Sequence, residues 1–388
     1  MSGFPFVLLY FLLDRELYFI LHSESLTAIY AVFSKCACLL LCLIALKDKH
    51  FKNKIGAFIC ALLPLAEMLL STIVNDGDVR RASMMIYSII GMMILIMIQS
   101  TSKAKIESFV HSLSLFYFVL CAINFVFLLA SPHFFNNASG GDHYFLGTEN
   151  QIGYPLMKGF CFVYIDSIFK QKNKMLLMYS LMHCITILII FSGSNIVGYL
   201  CMMAIILLKP LSNVILSIPI LRIIGVFIAV LCALFLFNML ADLLQASWME
   251  YIVVELLGKN LTLTNRTNIW ELVVEGFYES PWLGHGIRET VNLFYVFKKY
   301  FSAHNQYLQS LYESGSLFYV AMIPLVKLFS DCMNITEYRI RLVVSATCLA
   351  TMIMLLGEAV GMASLFTLFF IGLGISGYYI PKNMTESK

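Results

Sequence analysis

Apolar runs close to bilayer-spanning length recur along this whole sequence, and no other feature constrains the fold as strongly. A helix needs about 20 predominantly apolar residues to cross the hydrocarbon core. Runs of that order cover roughly 4–21, 26–46, 55–74, 83–99, 109–130, 151–168, 175–191, 194–208, 219–239, 307–329, 340–357 and 362–380. Composition agrees: 60% of the residues are hydrophobic and 13% charged, where a soluble protein carries about a quarter charged residues. The expectation is an all-α polytopic membrane protein with about twelve transmembrane helices. The first run is the weakest, because Asp14, Arg15 and Glu16 interrupt it. It has no small-residue cleavage site, so it reads as an uncleaved span.

Orientation follows from where Lys and Arg gather. "KDKHFKNK", "SKAKIES" and "KQKNK" follow the second, fourth and sixth runs and mark one side as cytoplasmic. The alternate connections 22–25, 131–150, 192–193 and 358–361 have no Lys or Arg, and only "NDGDVRR" at 75–81, with Arg80 and Arg81, breaks the pattern. Both termini then face the cytoplasm. The chain divides into nine spans over 1–239, an outer loop over 240–306, and three spans with a cytoplasmic tail over 307–388. The eleven cysteines fall in spans or, for Cys332, in a cytoplasmic loop. They form neither a disulfide framework nor a metal-ligand spacing.

The outer loop is too long for a connector and too charged for lipid; long ordered loops are usually functional. In "NIWELVVEGFYESP", Asn268 can cap a helix with Glu271 three residues on, a capping-box pattern. Ile269, Trp270, Val273, Val274 and Phe277 then form an apolar stripe opposite Glu271, Glu275 and Glu279, which predicts an amphipathic helix lying on the membrane surface. Pro281 ends it, and Gly284 and Gly286 make a tight turn.

His304 stands where this loop re-enters the membrane, with Asn305 beside it. An imidazole there suits a general base, or it merely caps and packs. Arg266 precedes the predicted helix, where a planar guanidinium suits phosphate oxygens; a solvated surface charge is the alternative. Arg288 and the Lys298–Lys299 pair read as a basic rim near lipid headgroups. Charges within spans are costly and default to pairing or function. Lys35 and Glu67, at equal depth on neighbouring spans, predict an ion pair. Lys158 shows no partner in the sequence, so an anion-facing role stays open. Arg222 and Lys327 lie near span ends and read as snorkelling. "DGD" at 76–78 reads as a plain turn rather than a metal-binding DxD, and the sequons at Asn137, Asn260 and Asn265 carry no weight. No GxxxxGK[ST] loop is present, so direct use of a nucleotide is not expected.

Together, "LTNRTNIWELVVEGFYESPWLGHGIRE" and "AHNQYLQSLYESGSLFYV" resemble the signature region of Wzy-type O-antigen polymerases and their O-antigen ligase relatives. That pattern is a G-R-T/S-x-x-W helix, a P-x-L-G-x-G turn and H-N-x-x-L-x-x-x-x-E-x-G before a span. Arg266, Thr267, Trp270, Pro281, Leu283, Gly284, Gly286, His304, Asn305, Leu308, Glu313 and Gly315 match it. Upstream, "GTENQIG", with Asn150, resembles the family's Asn motif, and "FSGSN" its S-x-S-R/K. Asn265 replaces the usual Gly, Asn195 stands where Arg or Lys is common, and loop 131–150 lacks an Arg that ligases often carry.

The resemblance implies a GT-C-like glycosyltransferase that needs no metal or cofactor, in the bacterial inner membrane with its active site on the periplasmic side. Its partners would be undecaprenyl-pyrophosphate-linked oligosaccharide as donor and acceptor, the lipid bilayer, a chain-length regulator and a flippase; nucleic acid is not expected. His304 would be the base and Arg266 the stabiliser of the departing pyrophosphate. Asn305, Lys158, Asn150, Arg288, Arg80, Arg81, Trp270 and Glu313 would bind substrate. The R-T-x-x-W form and the missing loop Arg favour a polymerase. A ligase that transfers the glycan to lipid A–core is the alternative. A transporter of the same lipid-linked sugar is disfavoured, because no paired repeat or broken-span symmetry is present.

Overall fold

The computed structural model describes residues 4–14, 24–48, 51, 55–131, 143–236, 266–288, 302–359 and 363–379. Within these, the helices are α1 (Phe4–Leu13), α2 (Glu24–Lys47), α3 (Ile55–Val74), α4 (Val79–Gln99), α5 (Lys103–Ala130), α6 (Gly153–Lys170) and α7 (Lys174–Ile190). They continue as α8 (Gly193–Leu207), α9 (Lys209–Ser217), α10 (Ile220–Leu236), α11 (Arg266–Glu279), α12 (Gln306–Asn334), α13 (Tyr338–Met354) and α14 (Ala363–Ser376). A small antiparallel hairpin, β1 (His143–Tyr144) and β2 (Gly147–Thr148), lies in the expected 131–150 connection.

The protein is an all-α polytopic membrane protein. Helices α2, α3, α4, α5 and α12 are long and apolar enough to cross a bilayer alone, and α8 with α9 makes a sixth span if that pair, bent by 89°, counts as one. Helices α7, α10 and α14 are apolar but shorter. Surface chemistry follows the lipid solvent: Leu39, Leu40, Leu43 and Leu46 of α2 and Ile59, Leu63, Leu70 and Ile73 of α3 are exposed. Helices α6, α13 and α14 are instead buried along nearly their whole length, as helices apolar all round must be.

The first expected span is interrupted where the sequence signalled. Helix α1 stops at Leu13, and Asp14 turns inward, fully buried. The carbonyls freed by the break accept hydroxyls from other helices: Tyr30 donates to Phe11 O at 2.8 Å and Asp14 O at 3.1 Å, and Ser88 to Leu13 O. Irregular backbone within a bilayer persists only when protein satisfies it in this way.

The expected Lys35–Glu67 pair does not form. Lys35 lies over the Tyr87 ring, 5.9 Å from its centroid, while the Glu67 carboxyl is buried without a hydrogen-bond partner among the described residues. Equal depth does not put two side chains on facing sides of their helices. Lys327 bonds Asp331 one turn on, at 2.7 Å. Asp78 of the "DGD" turn caps α4, accepting the Arg81 N–H at 2.9 Å.

Helix α12 breaks at Gly315, whose φ of 65° and ψ of −166° are open only to glycine. The turn Pro281–Gly286 fills the break. His285 and Gly286 donate their N–H groups to the carbonyls of Tyr312 and Glu313, each at 2.8 Å, and Ser316 and Leu317 donate to those of Pro281 and Trp282 at 2.8 and 3.1 Å. Ser71 of α3 donates to the carbonyls of Leu283 and Glu313, and the Ile287 N–H donates to Thr72 Oγ1. The turn therefore ties α11, α12 and α3 into one unit.

Candidate active site

Ala303, immediately before His304, is held by both of its backbone groups. Its N–H donates to Gln309 Oε1 at 3.0 Å, and its carbonyl accepts the Trp270 indole N–H at 2.9 Å. On the other side, Asn305 caps α12, its side-chain oxygen accepting the N–H groups of Tyr307 and Leu308 at 3.0 and 3.2 Å. Pinned between them, His304 adopts φ 47°, a left-handed conformation few non-glycine residues take. Such backbone persists where contacts over-determine it, and it concentrates at functional sites.

The imidazole is 36% exposed, but its Nδ1 is buried, 3.5 Å from Glu358 Oε1. That distance is within ion-pair range and too long for a formed hydrogen bond. The open edge of the ring is therefore the one away from Nδ1, which carries Nε2. Beside it, the Asn305 Nδ2 is buried with no hydrogen-bond partner among the described residues.

Helix α11 starts at Arg266, so Asn268 lies inside the first turn rather than at the cap, and the capping-box expectation is corrected. The apolar stripe forms as expected. It packs against Ala303, Leu308 and Tyr312 rather than presenting itself for a membrane surface. Arg266 is thereby brought beside the α13–α14 turn, where its Nη1 donates to the Gly357 carbonyl at 2.8 Å. Its remaining N–H donors, of the five a guanidinium carries, have no partner among the described residues.

The same turn meets the upstream motifs. Ser192 donates to Asn150 Oδ1 at 2.9 Å, and Asn195 Nδ2 to the Glu149 carbonyl at 2.7 Å. A Cβ on Gly357 would stand 2.8 Å from Ser194 Cβ, and one on Gly153 would stand 2.2 Å from Asn195 Oδ1 and 2.4 Å from Met354 Cε. The Gln306 N–H donates to the Leu355 carbonyl at 2.8 Å. Arg266, Gln306, His304 and Ser194 thus meet residues 355–358 directly, with Asn305 between His304 and Gln306 in the chain and the Asn150–Ser192 contact two residues from Ser194.

Other candidates fall elsewhere. Lys158 is fully buried and its Nζ lies 2.6 Å from Asp14 Oδ2, which also accepts the Tyr117 hydroxyl at 2.9 Å. The partner the sequence did not show is Asp14, and a fully enclosed ammonium has no face for an anion. Trp270 is likewise buried, and its N–H is spent on the Ala303 carbonyl next to His304. Glu313 accepts Gln309 Nε2 at 2.7 Å and feels the charge of Arg81. Arg288 is exposed and donates to the Asn75 carbonyl at 3.0 Å, and Arg80 is exposed. These last residues ring the α3–α4 turn and connect to the His304 segment through Glu313 and Gln309. The Lys298–Lys299 pair, Arg15, Glu16 and the sequons at Asn137, Asn260 and Asn265 lie outside the described residues.

Sequence reasoning did not single out Glu358 or Gln309, and Ser192 entered only as the first Ser of "FSGSN". For Glu358 a signal was available: it is the single acid in a short turn between two apolar helices.

Residues 175–323 match the family model for O-antigen ligase. This O-antigen ligase-like stretch runs from α7 into α12 and holds Ser192, Arg266, His304, Asn305 and Glu313, while Asn150 and Glu358 lie outside it. The matched stretch is 149 of the 388 residues, and over it the chain is similar to O-antigen ligase. No curated protein matches the chain.

Proposed function

We propose that this protein is an O-antigen polymerase, a metal-independent glycosyltransferase at the periplasmic face of the bacterial inner membrane. It joins oligosaccharide repeat units carried on undecaprenyl pyrophosphate. The observation that carries the reading is the convergence of Arg266, the His304–Asn305 pair and the Asn150–Ser192 contact around residues 355–358. In the step, the acceptor sugar hydroxyl attacks the anomeric carbon of the donor. The bond from that carbon to the pyrophosphate oxygen breaks, and its electrons leave with the lipid pyrophosphate. The hydroxyl proton passes to His304 Nε2, on the open edge of the ring. Arg266, with donors to spare, meets the charge that grows on the departing pyrophosphate. The unspent Asn305 amide is available to a sugar oxygen.

An apolar groove supports a lipid-linked substrate. Two adjoining cavities of ≈ 310 and ≈ 240 Å³ run along α10 and α12, sharing Ile228, Tyr307, Tyr319 and Val320. The hydroxyls of Tyr307 and Tyr319 are spent on the carbonyls of Met352 and Tyr307, at 2.8 and 2.9 Å. The wall therefore offers hydrocarbon, which suits a polyprenyl chain, and it begins two residues after Asn305.

The family description of residues 175–323 favours a second reading, ligation of the glycan onto lipid A–core. One assay separates the two. Purified protein is given, in EDTA, the lipid-linked repeat unit that accumulates when the gene is deleted from its source strain. A ladder of longer lipid-linked glycans, lost in His304→Ala and Arg266→Ala, is the expected result. Transfer only after lipid A–core is added makes the protein a ligase, and no transfer to either acceptor overturns both readings.

A further inference from the structure

We infer that Glu358 is a positioning residue for His304, aligning the imidazole and supporting it as it takes up a proton; this rests on the reading of His304 as the base. Three observations carry it. Glu358 Oε1 lies 3.5 Å from His304 Nδ1, and the carboxyl is only 13% exposed. The facing Nδ1 is buried and has no hydrogen-bond partner among the described residues, so the carboxylate is the group to which a proton on Nδ1 points. That tautomer leaves the Nε2 lone pair on the open edge, facing the site.

The backbone that carries Glu358 is itself held at several points. Gly357 donates its N–H to Met354 O at 2.9 Å and accepts Arg266 through its carbonyl, Leu355 O accepts the Gln306 N–H, and Ser194 leaves no room for a side chain at 357. Adjacent residues thus hold the two groups the reaction uses: the Gly357 carbonyl holds the cation, and the Glu358 carboxylate the base. A carboxylate behind an imidazole fixes its tautomer and favours the imidazolium that forms when Nε2 accepts the acceptor's proton. Carboxylates behind metal-bound imidazoles are worth about 10–100-fold in activity, and we expect the same order for this pair.

The test compares Glu358→Gln and Glu358→Ala with the native protein on the same lipid-linked repeat unit, alone and combined with His304→Ala. Expected is a fall in kcat of about 10–100-fold with KM unchanged, and no further loss when either change is added to His304→Ala. The near-isosteric Gln variant guards against a folding defect in the Ala variant. A kcat equal to the native value, a loss confined to KM, or a loss that adds in full to that of His304→Ala overturns the assignment of Glu358 and leaves His304 in place. An undiminished rate in His304→Ala removes the base itself, and Glu358 with it.

A second readout needs no turnover. Diethyl pyrocarbonate labelling of His304 at pH 8, followed by peptide mass spectrometry, falls several-fold in Glu358→Gln. His285, whose Nε2 lies 2.7 Å from the Gly276 carbonyl, serves as the internal reference. Equal His304 labelling in the two proteins overturns the inference even if the reaction proves to be of another class.

Discussion

Replacing Lys158 by Met removes an ammonium whose side chain, like that of its partner Asp14, has no exposed surface. The two charges sit 2.6 Å apart, and Tyr117 donates to the same carboxylate oxygen. Removing one partner of a buried ion pair costs about 3–5 kcal/mol. Replacing both partners by uncharged groups of similar size removes both charges. Asn at 14 still offers an oxygen to Tyr117 and Met at 158 fills the lysine stem's volume, so Asp14→Asn/Lys158→Met should lie within about 1 kcal/mol of the native protein. The assay is reversible unfolding in mixed micelles of rising SDS fraction, read by tryptophan fluorescence and run beside the transfer reaction. Lys158→Met should unfold early, and the double variant should recover both stability and transfer. A cost below about 1 kcal/mol for the single change, or a double variant no more stable than the single ones, refutes the reasoning about the pair. A double variant that is stable but inactive instead returns Lys158 to the substrate.

Three further expectations follow from the same contacts. Gly315→Ala places a Cβ 2.3 Å from the Trp282 carbonyl at a backbone conformation closed to alanine; it should cost at least about 3 kcal/mol, and a native SDS midpoint would show that the turn does not sit in the α12 break. Trp270→Phe keeps the ring but strands the buried Ala303 carbonyl; a loss of about 1–3 kcal/mol should come with a lower kcat, and unchanged kinetics would separate Trp270 from the His304 backbone. Glu67→Leu removes a buried carboxyl that has no hydrogen-bond partner among the described residues; stability should hold or rise by up to about 2 kcal/mol, and a clear loss in the unfolding assay would reveal a partner.

How much of this was legible in the chain depended on whether the cause was local. Helix α11 and its stripe were readable because an apolar face at helical spacing is a short-range pattern, and every residue of the stripe lies on the packed side. The turn at 281–286 was readable from Pro281, Gly284 and Gly286; that it fills a break in α12 was not, since Gly315 entered as a motif match and nothing beside it in the sequence marks a break. Pairing across helices was where the reading failed. Lys35 and Glu67 matched in depth yet face different neighbours, while Lys158 found Asp14, 144 residues away, across helices whose rotation no periodicity specifies.

By itself, then, the sequence determined that the chain is a bundle of apolar helices, where most of those helices lie, and which polar residues are unusual enough to matter. Bilayer thickness and helical periodicity act on contiguous residues, so composition and spacing suffice for that much. Only the tertiary structure decided which polar groups meet. Trp270 became a support for Ala303, Lys158 half of a buried pair, and Glu358, in a turn that carries no motif, the neighbour of His304. The physical reason is that a side chain's role depends on the few ångströms around its polar atoms, and in a helical bundle those are set by how each helix is rotated and where it breaks.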